Sequence, residues 1–209
     1  ARKFENMNYR HIIERGSKIL KKNSIITANI DAELLLSISL KVSREKILLN
    51  LENELKQYEI NKYISLINRR KKKEPISYIV GNKFFWKYSF NINKNVLTPR
   101  FETELLVEEI LNIFKQSNYL NVLDVGVGSG CILISLLKEK ANWKGTAIDI
   151  SKLALKTAKI NAKIQQIENR IKFINSDIDN FYNNKYDLIV SNPPYISKIE
   201  YNNLDLGVK

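Results

Sequence analysis

From residue 120 onward, short apolar runs alternate with helical ones, and this alternation constrains the fold more than any other feature of the chain. The expected order is strand 121–125, helix 131–140, strand 145–150, helix 152–165, strand 170–175 and strand 186–191. Strands that are apolar at successive positions, rather than at every second one, suit a parallel sheet covered by helices on both faces. The spacing therefore predicts an α/β, doubly wound, Rossmann-like domain.

The first third of the chain reads differently. Apolar residues recur at helical spacing at Ile12, Ile13, Ile19 and Leu20, then at Ala32, Leu34, Leu35, Leu36, Ile38 and Leu40, then at Ile47, Leu48 and Leu49. Thr27 with Asp31, and Ser43, mark helix starts, because short oxygen-bearing side chains satisfy the free backbone amides there. A small helical bundle is expected over residues 1–74, with its last helix at 56–73. All four prolines, Pro75, Pro99, Pro193 and Pro194, lie outside it, and Pro75 marks its end. Residues 75–97 follow, rich in aromatic and β-prone side chains such as Tyr78, Phe84, Phe85, Trp86, Tyr88 and Phe90, and are expected to form a β-hairpin linker. The third region, 98–209, opens with Thr98-Pro99-Arg100-Phe101-Glu102-Thr103-Glu104 and a helix to about residue 115. Acids fill its first turn, as the helix dipole favours.

Composition narrows the chemistry. A chain of 209 residues with 44% hydrophobic content can bury a core. Cys131 is the only cysteine and His11 the only histidine, so no disulfide frame or Cys/His metal site can be built, and no metal is expected. No apolar stretch approaches the roughly 20 residues of a membrane span, and the basic N-terminus lacks an apolar signal core, so a cytosolic chain is expected. The net charge of +12 would suit a phosphate-rich partner. Lysine, asparagine and isoleucine are abundant throughout, however, so compositional bias explains the charge as well, and direct nucleic-acid binding is not expected. The run from Arg69 to Lys73 sits where cations oppose a helix dipole.

Two motifs carry the chemistry. In Asp124-Val125-Gly126-Val127-Gly128-Ser129-Gly130, three of the seven glycines fall between a strand and a helix, where backbone must pass close to a ligand. A dinucleotide fingerprint would place glycine or alanine where Cys131 stands. Asp124 would repel a pyrophosphate but suits a ligand with a cationic amino-acid tail; S-adenosylmethionine is such a ligand. Asp149 closes the second strand, where an acid can accept from both ribose hydroxyls. After the third strand, Asp177 can accept from an adenine amino group while Ile178 covers a ring face.

The second motif, Asn192-Pro193-Pro194-Tyr195, follows the fourth strand at the same sheet edge. The Asn192 side-chain oxygen and the Pro193 carbonyl can each accept one hydrogen of a planar amino group, leaving its lone pair facing a methyl donor. Two fixed acceptors favour the pyramidal, partly positive nitrogen of a transition state over its flat ground state. Pro193 and Pro194 stiffen the acceptors, and Tyr195 offers a ring that can stack on the substrate and meet developing positive charge. Sulfonium is already a good leaving group, so alignment supplies most of the acceleration and no strong base is needed.

These residues resemble the HemK/PrmC family of protein-glutamine methyltransferases. The resemblance runs through Asp31-Ala32-Glu33-Leu34-Leu35-Leu36, Glu74-Pro75-Ile76-Ser77-Tyr78-Ile79-Val80-Gly81, Phe85-Trp86, Leu97 to Glu104 and both site motifs. It implies methyl transfer from S-adenosylmethionine to the side-chain amide of the glutamine in the Gly-Gly-Gln motif of class-1 peptide chain release factors. By the same resemblance, Gly126 to Gly130 and Asp149 hold the cofactor, Asp177 and Ile178 border the adenine, and Asn192 to Tyr195 hold the glutamine. The helical bundle would grip the release factor, and a monomer is expected. Phe101 stands where the family usually has proline, and Ile178 where tryptophan is more usual. The family's sheet continues through further strands, so the sequence is expected to be part of a longer protein. Two alternatives stay open: an adenine amino-group methyltransferase on DNA or RNA, and a domain that binds without turnover.

Overall fold

The computed structural model describes residues 7–182 and 185–193. These divide into two compact units, residues 7–80 and 81–193.

In the first unit, α1 (Tyr9–Lys22), α2 (Ala28–Leu40), α3 (Arg44–Leu48), α4 (Gln57–Lys71) and α5 (Ile76–Val80) form the expected bundle. Ile12, Leu20, Leu35, Leu36, Ile47, Ile60, Tyr63 and Ile67 meet in its core. Ser43 caps α3 by accepting from the Lys46 amide at 3.2 Å, and Glu59 reaches back to the Lys56 amide at the start of α4. Residues 76–80, expected to be β-prone, are helical instead. Pro75 presets the first turn, its carbonyl accepts from the Tyr78 and Ile79 amides, and burial of Ser77 and Ile79 outweighs their local propensity.

One polar contact is sunk into this bundle. Asp31, 3% exposed, accepts from Arg70 Nε at 2.6 Å and from Thr27 Oγ1 at 2.9 Å, while Arg70 Nη1 donates to the Glu74 carbonyl. Removing one partner of a buried pair leaves an uncompensated charge. Asp31→Ala should therefore destabilise the bundle by roughly 3–5 kcal/mol, read as a shifted denaturant midpoint; an unchanged midpoint would refute this.

The second unit opens with a hairpin, β1 (Asn82–Phe85) antiparallel to β2 (Tyr88–Asn91), narrower than the 75–97 span expected. Trp86 turns it with a positive φ of 57° and is clamped from two sides. Its amide donates to Glu104 at 3.0 Å, and Glu139 accepts from Trp86 Nε1, Lys87 Nζ and Tyr88 Oη. Then come α6 (Glu102–Ile113), β3 (Asn121–Val125), α7 (Cys131–Glu139), β4 (Lys144–Asp149), α8 (Lys152–Ile164), β5 (Ile171–Asn175) and β6 (Leu188–Ser191). The sheet is parallel in the order β5-β4-β3-β6. Successive buried residues in β3 and β4 show that the central strands are covered on both faces, and α7 and α8 pack against them. This is the expected α/β fold with its helical bundle and hairpin. No helix among the described residues is long and apolar enough to cross a membrane.

Candidate active site

The chain runs outward from β3 through β4 to β5, then returns to the other side of β3 with β6. The reversal between β3 and β6 opens a crevice at the carboxyl ends of the strands, where sheets of this kind bind ligands. Val125 pairs with Ser191, so the chain leaves the sheet at Gly126 and Asn192 from adjacent strands, about 4.8 Å apart in the hydrogen-bonding direction. Ser191 Oγ donates to the Val125 carbonyl at 2.9 Å and ties the two exits together.

The glycine loop folds back over β4. The amides of Gly126 and Val127 donate to the Ile148 carbonyl at 2.9 and 3.0 Å, and that of Gly128 donates to Asp149 Oδ2 at 3.0 Å. Gly126 and Gly128 have φ of 74° and 54°, a region that side chains disfavour. A Cβ on Gly126 would meet nothing within 4 Å, and one on Gly128 only the Gly126 carbonyl at 3.9 Å. Both glycines thus border open space that a ligand can approach at backbone distance. Gly130 serves packing, since a Cβ there would run into Ile134 at 2.8 Å.

Among the other loop residues expected to bind cofactor, the side chains of Asp124, Val127 and Ser129 face the core, at 2%, 6% and 4% exposure. Val127 and Ser129 therefore offer a ligand mainly their backbone. Burial pushes the Asp124 carboxyl up to about 7, against a hydrogen bond from the Leu133 amide that lowers it, and the charge of Asp149 raises it further. The folded value lies above the unfolded one, so the proton's contribution to stability is fully present below about pH 4 and is lost as pH rises through about 7. Asp124→Asn, which keeps an acceptor for Leu133, should melt close to wild type at pH 4 and above it at pH 8. A gap that does not widen with pH would contradict the assignment.

Asp149 Oδ1 accepts from the Ser151 amide at 2.8 Å, and Oδ2 from Gly128. Each carboxylate oxygen has a second lone pair, so the group can still receive ligand hydroxyls. Asn175 Nδ2 donates to the carbonyls of Asp149 and Ile150, which draws the end of β5 to the end of β4. Asp177, exposed, caps the following turn by accepting from the Asp179 amide, and Ile178 is 47% exposed on it. Ile150, directly after Asp149, is 75% exposed; sequence reading passed it over, although an apolar residue following the strand-end acid was the signal available.

Asn161 on α8 was also missed. Fully buried, it accepts from the Asn91 amide at 2.6 Å and donates to the carbonyls of Asn91 and Ser129 at 3.1 and 2.8 Å. One side-chain amide thus joins the hairpin to the glycine loop, with both of its N–H donors and its oxygen engaged.

Asn192 is half-buried and Pro193 exposed. Asn192 Nδ2 donates to Thr103 Oγ1 in the first turn of α6 at 2.9 Å. Pro194 and Tyr195 lie outside the described residues. The structure therefore brings together the glycine loop, Asp149, the turn bearing Asp177 and Ile178, and Asn192 at one sheet edge.

Residues 101–205 match the family model of the methyltransferase small domain, and residues 11–81 that of the PrmC N-terminal domain. The release factor glutamine methyltransferase of Leptospira interrogans is 43% identical over 88% of this chain and 66% of its own length. That of Caulobacter vibrioides is 40% identical over 85% and 62%, and that of Clostridium botulinum 40% identical over 91% and 68%. The chain thus spans between 62% and 68% of the length of these relatives. With both family models matched and this identity sustained across its two units, the chain belongs to the release factor glutamine methyltransferase family.

Proposed function

We propose that the protein transfers a methyl group from S-adenosylmethionine to the side-chain amide nitrogen of the glutamine in the Gly-Gly-Gln motif of class-1 peptide chain release factors. The observation that carries this reading is the register of β3 and β6, which sets Asn192 beside Gly126 at the sheet's reversal point. A methyl donor held by the loop and an amide held by Asn192 would then be neighbours.

S-adenosylmethionine, when bound, supplies a methyl group on a sulfonium. Gly126 and Gly128 admit the ligand to their backbone, and Asp149 holds the ribose hydroxyls while its bond to Gly128 keeps the loop closed. Asp177 accepts from the adenine amino group, and Ile178 and Ile150 offer apolar surface to the base. Asn192 Oδ1 and the Pro193 carbonyl orient the glutamine amide through its two hydrogens.

The match of residues 11–81 to the PrmC N-terminal domain favours a release factor over nucleic acid as substrate. Incubation with methyl-labelled cofactor and either release factor or nucleic acid tests the choice. Label is expected in release factor; label appearing only in nucleic acid would reject the proposal.

A further inference from the structure

One edge of α8 carries polar side chains at every fourth position, and each meets the hairpin strand or the residues just after it. Thr157 Oγ1 accepts from Asn93 Nδ2 at 3.0 Å, Asn161 bonds both backbone groups of Asn91, and Gln165, just past the helix end, donates to the Ser89 carbonyl at 2.9 Å. Four helical residues rise about 6.0 Å and two extended residues about 6.8 Å, so the three rungs stay in step. The middle rung continues to the glycine loop. Its rotation is not open to a half-turn, because every partner is a backbone group of fixed polarity. The Asn91 amide can only donate, and the carbonyls of Asn91 and Ser129 can only accept.

The Ser129 carbonyl belongs to the last peptide plane of the loop. The other polar group of that plane, the Gly130 amide, donates to the Val127 carbonyl at 2.8 Å and closes the turn. Gly130 holds φ at 81°, but glycine adopts the opposite sign about as readily. The residue that permits this plane therefore also permits it to turn over, and a bond at the carbonyl end decides between the two orientations. Asn161 Nδ2 supplies that bond at 2.8 Å from a fully buried position. Within the same turn, the Gly128 amide donates to Asp149 Oδ2, so the seating of this plane bears on the carboxylate assigned to the ribose.

We propose that Asn161 is a positioning residue for the cofactor: held in one rotation by Asn91 of the hairpin, it fixes the Ser129-Gly130 peptide and with it the open faces of Gly126 and Gly128. The inference rests on the cofactor assignment above. Asn161 touches no ligand in this role and acts through the loop backbone.

The test compares Asn161→Ala with Thr157→Val, which breaks a neighbouring rung of the hairpin without touching the loop. Both are made in the full-length protein and measured well below their melting midpoints. One readout is the calorimetric affinity for S-adenosylhomocysteine; the other is hydrogen exchange at the Gly130 amide, taken relative to the core amide of Ala147 in β4. Asn161→Ala should bind roughly 10- to 100-fold more weakly, the scale of one preorganising hydrogen bond lost from a binding loop. Its Gly130 amide should exchange roughly tenfold faster or more. Thr157→Val should match wild type in both readouts. An asparagine that served packing alone would lower the melting midpoint and leave both readouts where they were; that result overturns the proposal. Equal losses in the two variants would assign the effect to the hairpin as a whole and overturn it as well. Should the alanine variant fail to fold, Asn161→Ser, whose hydroxyl falls short of the Ser129 carbonyl, takes its place with the same expectations. A wild type that binds S-adenosylhomocysteine no more tightly than Asn161→Ala sinks this inference alone. A wild type that does not bind it removes the cofactor assignment beneath.

Discussion

Asn192→Ala should lower the rate of methyl transfer by roughly 10²–10³-fold, the cost of removing one preorganised polar contact from a developing charge. The substitution deletes the acceptor proposed to meet the substrate amide and abandons the bond to Thr103. Gly126, Gly128 and Asp149 hold one another without Asn192, through bonds to the Ile148 carbonyl and the Gly128 amide, so cofactor affinity should change little. Single-turnover kinetics beside calorimetric titration with S-adenosylhomocysteine separate the two effects. A retained rate, or a matched loss of rate and cofactor affinity, would remove Asn192 from the role given to it.

Asp149→Ala should act on the opposite side of the site. Two charge-assisted hydrogen bonds to ribose are worth about 1.5–3 kcal/mol each, so affinity for S-adenosylhomocysteine should fall by roughly 10²–10⁴-fold. The variant also strips the acceptor from the Gly128 and Ser151 amides. The loop would then lose its tie to β4 at a residue held in the left-handed region, and the loss should fall towards the upper end of that range. Ser151→Ala removes a helix cap, the bond from the Ala154 amide, but leaves Asp149 in place, and should bind cofactor nearly as well as wild type. A tenfold or smaller change in Asp149→Ala would argue that the carboxylate shapes the loop without touching ligand.

Much of this was legible in the sequence because it depends on local pattern. Continuous apolar runs announced the parallel strands, the spacing of Gly126, Gly128 and Gly130 announced the turn, and Asn192 was marked by the prolines that follow it. What escaped depends on partners distant in the chain. Thr103 meets Asn192 across 89 positions, and Asn161 meets Asn91 across 70; nothing in either local sequence distinguishes a surface threonine or asparagine from one that holds a site. Residues 76–80 misled because β-branched side chains were weighed by propensity, whereas Pro75 and burial decide the conformation there. Asp124 was expected to turn its carboxylate towards the ligand, whereas its side chain faces the core; that burial, and hence its raised pKa, belongs to the packing of α7 over β3.

Tandem mass spectrometry of the release factor's Gly-Gly-Gln peptide, after incubation with the full-length protein and S-adenosylmethionine, asks most directly whether a carboxamide is gripped beside the glycine loop. The expected spectrum carries one added methyl on the glutamine side-chain nitrogen, absent when Asn192→Ala replaces wild type. An unmodified glutamine, or a methyl on any other atom of the peptide, would contradict the site as described.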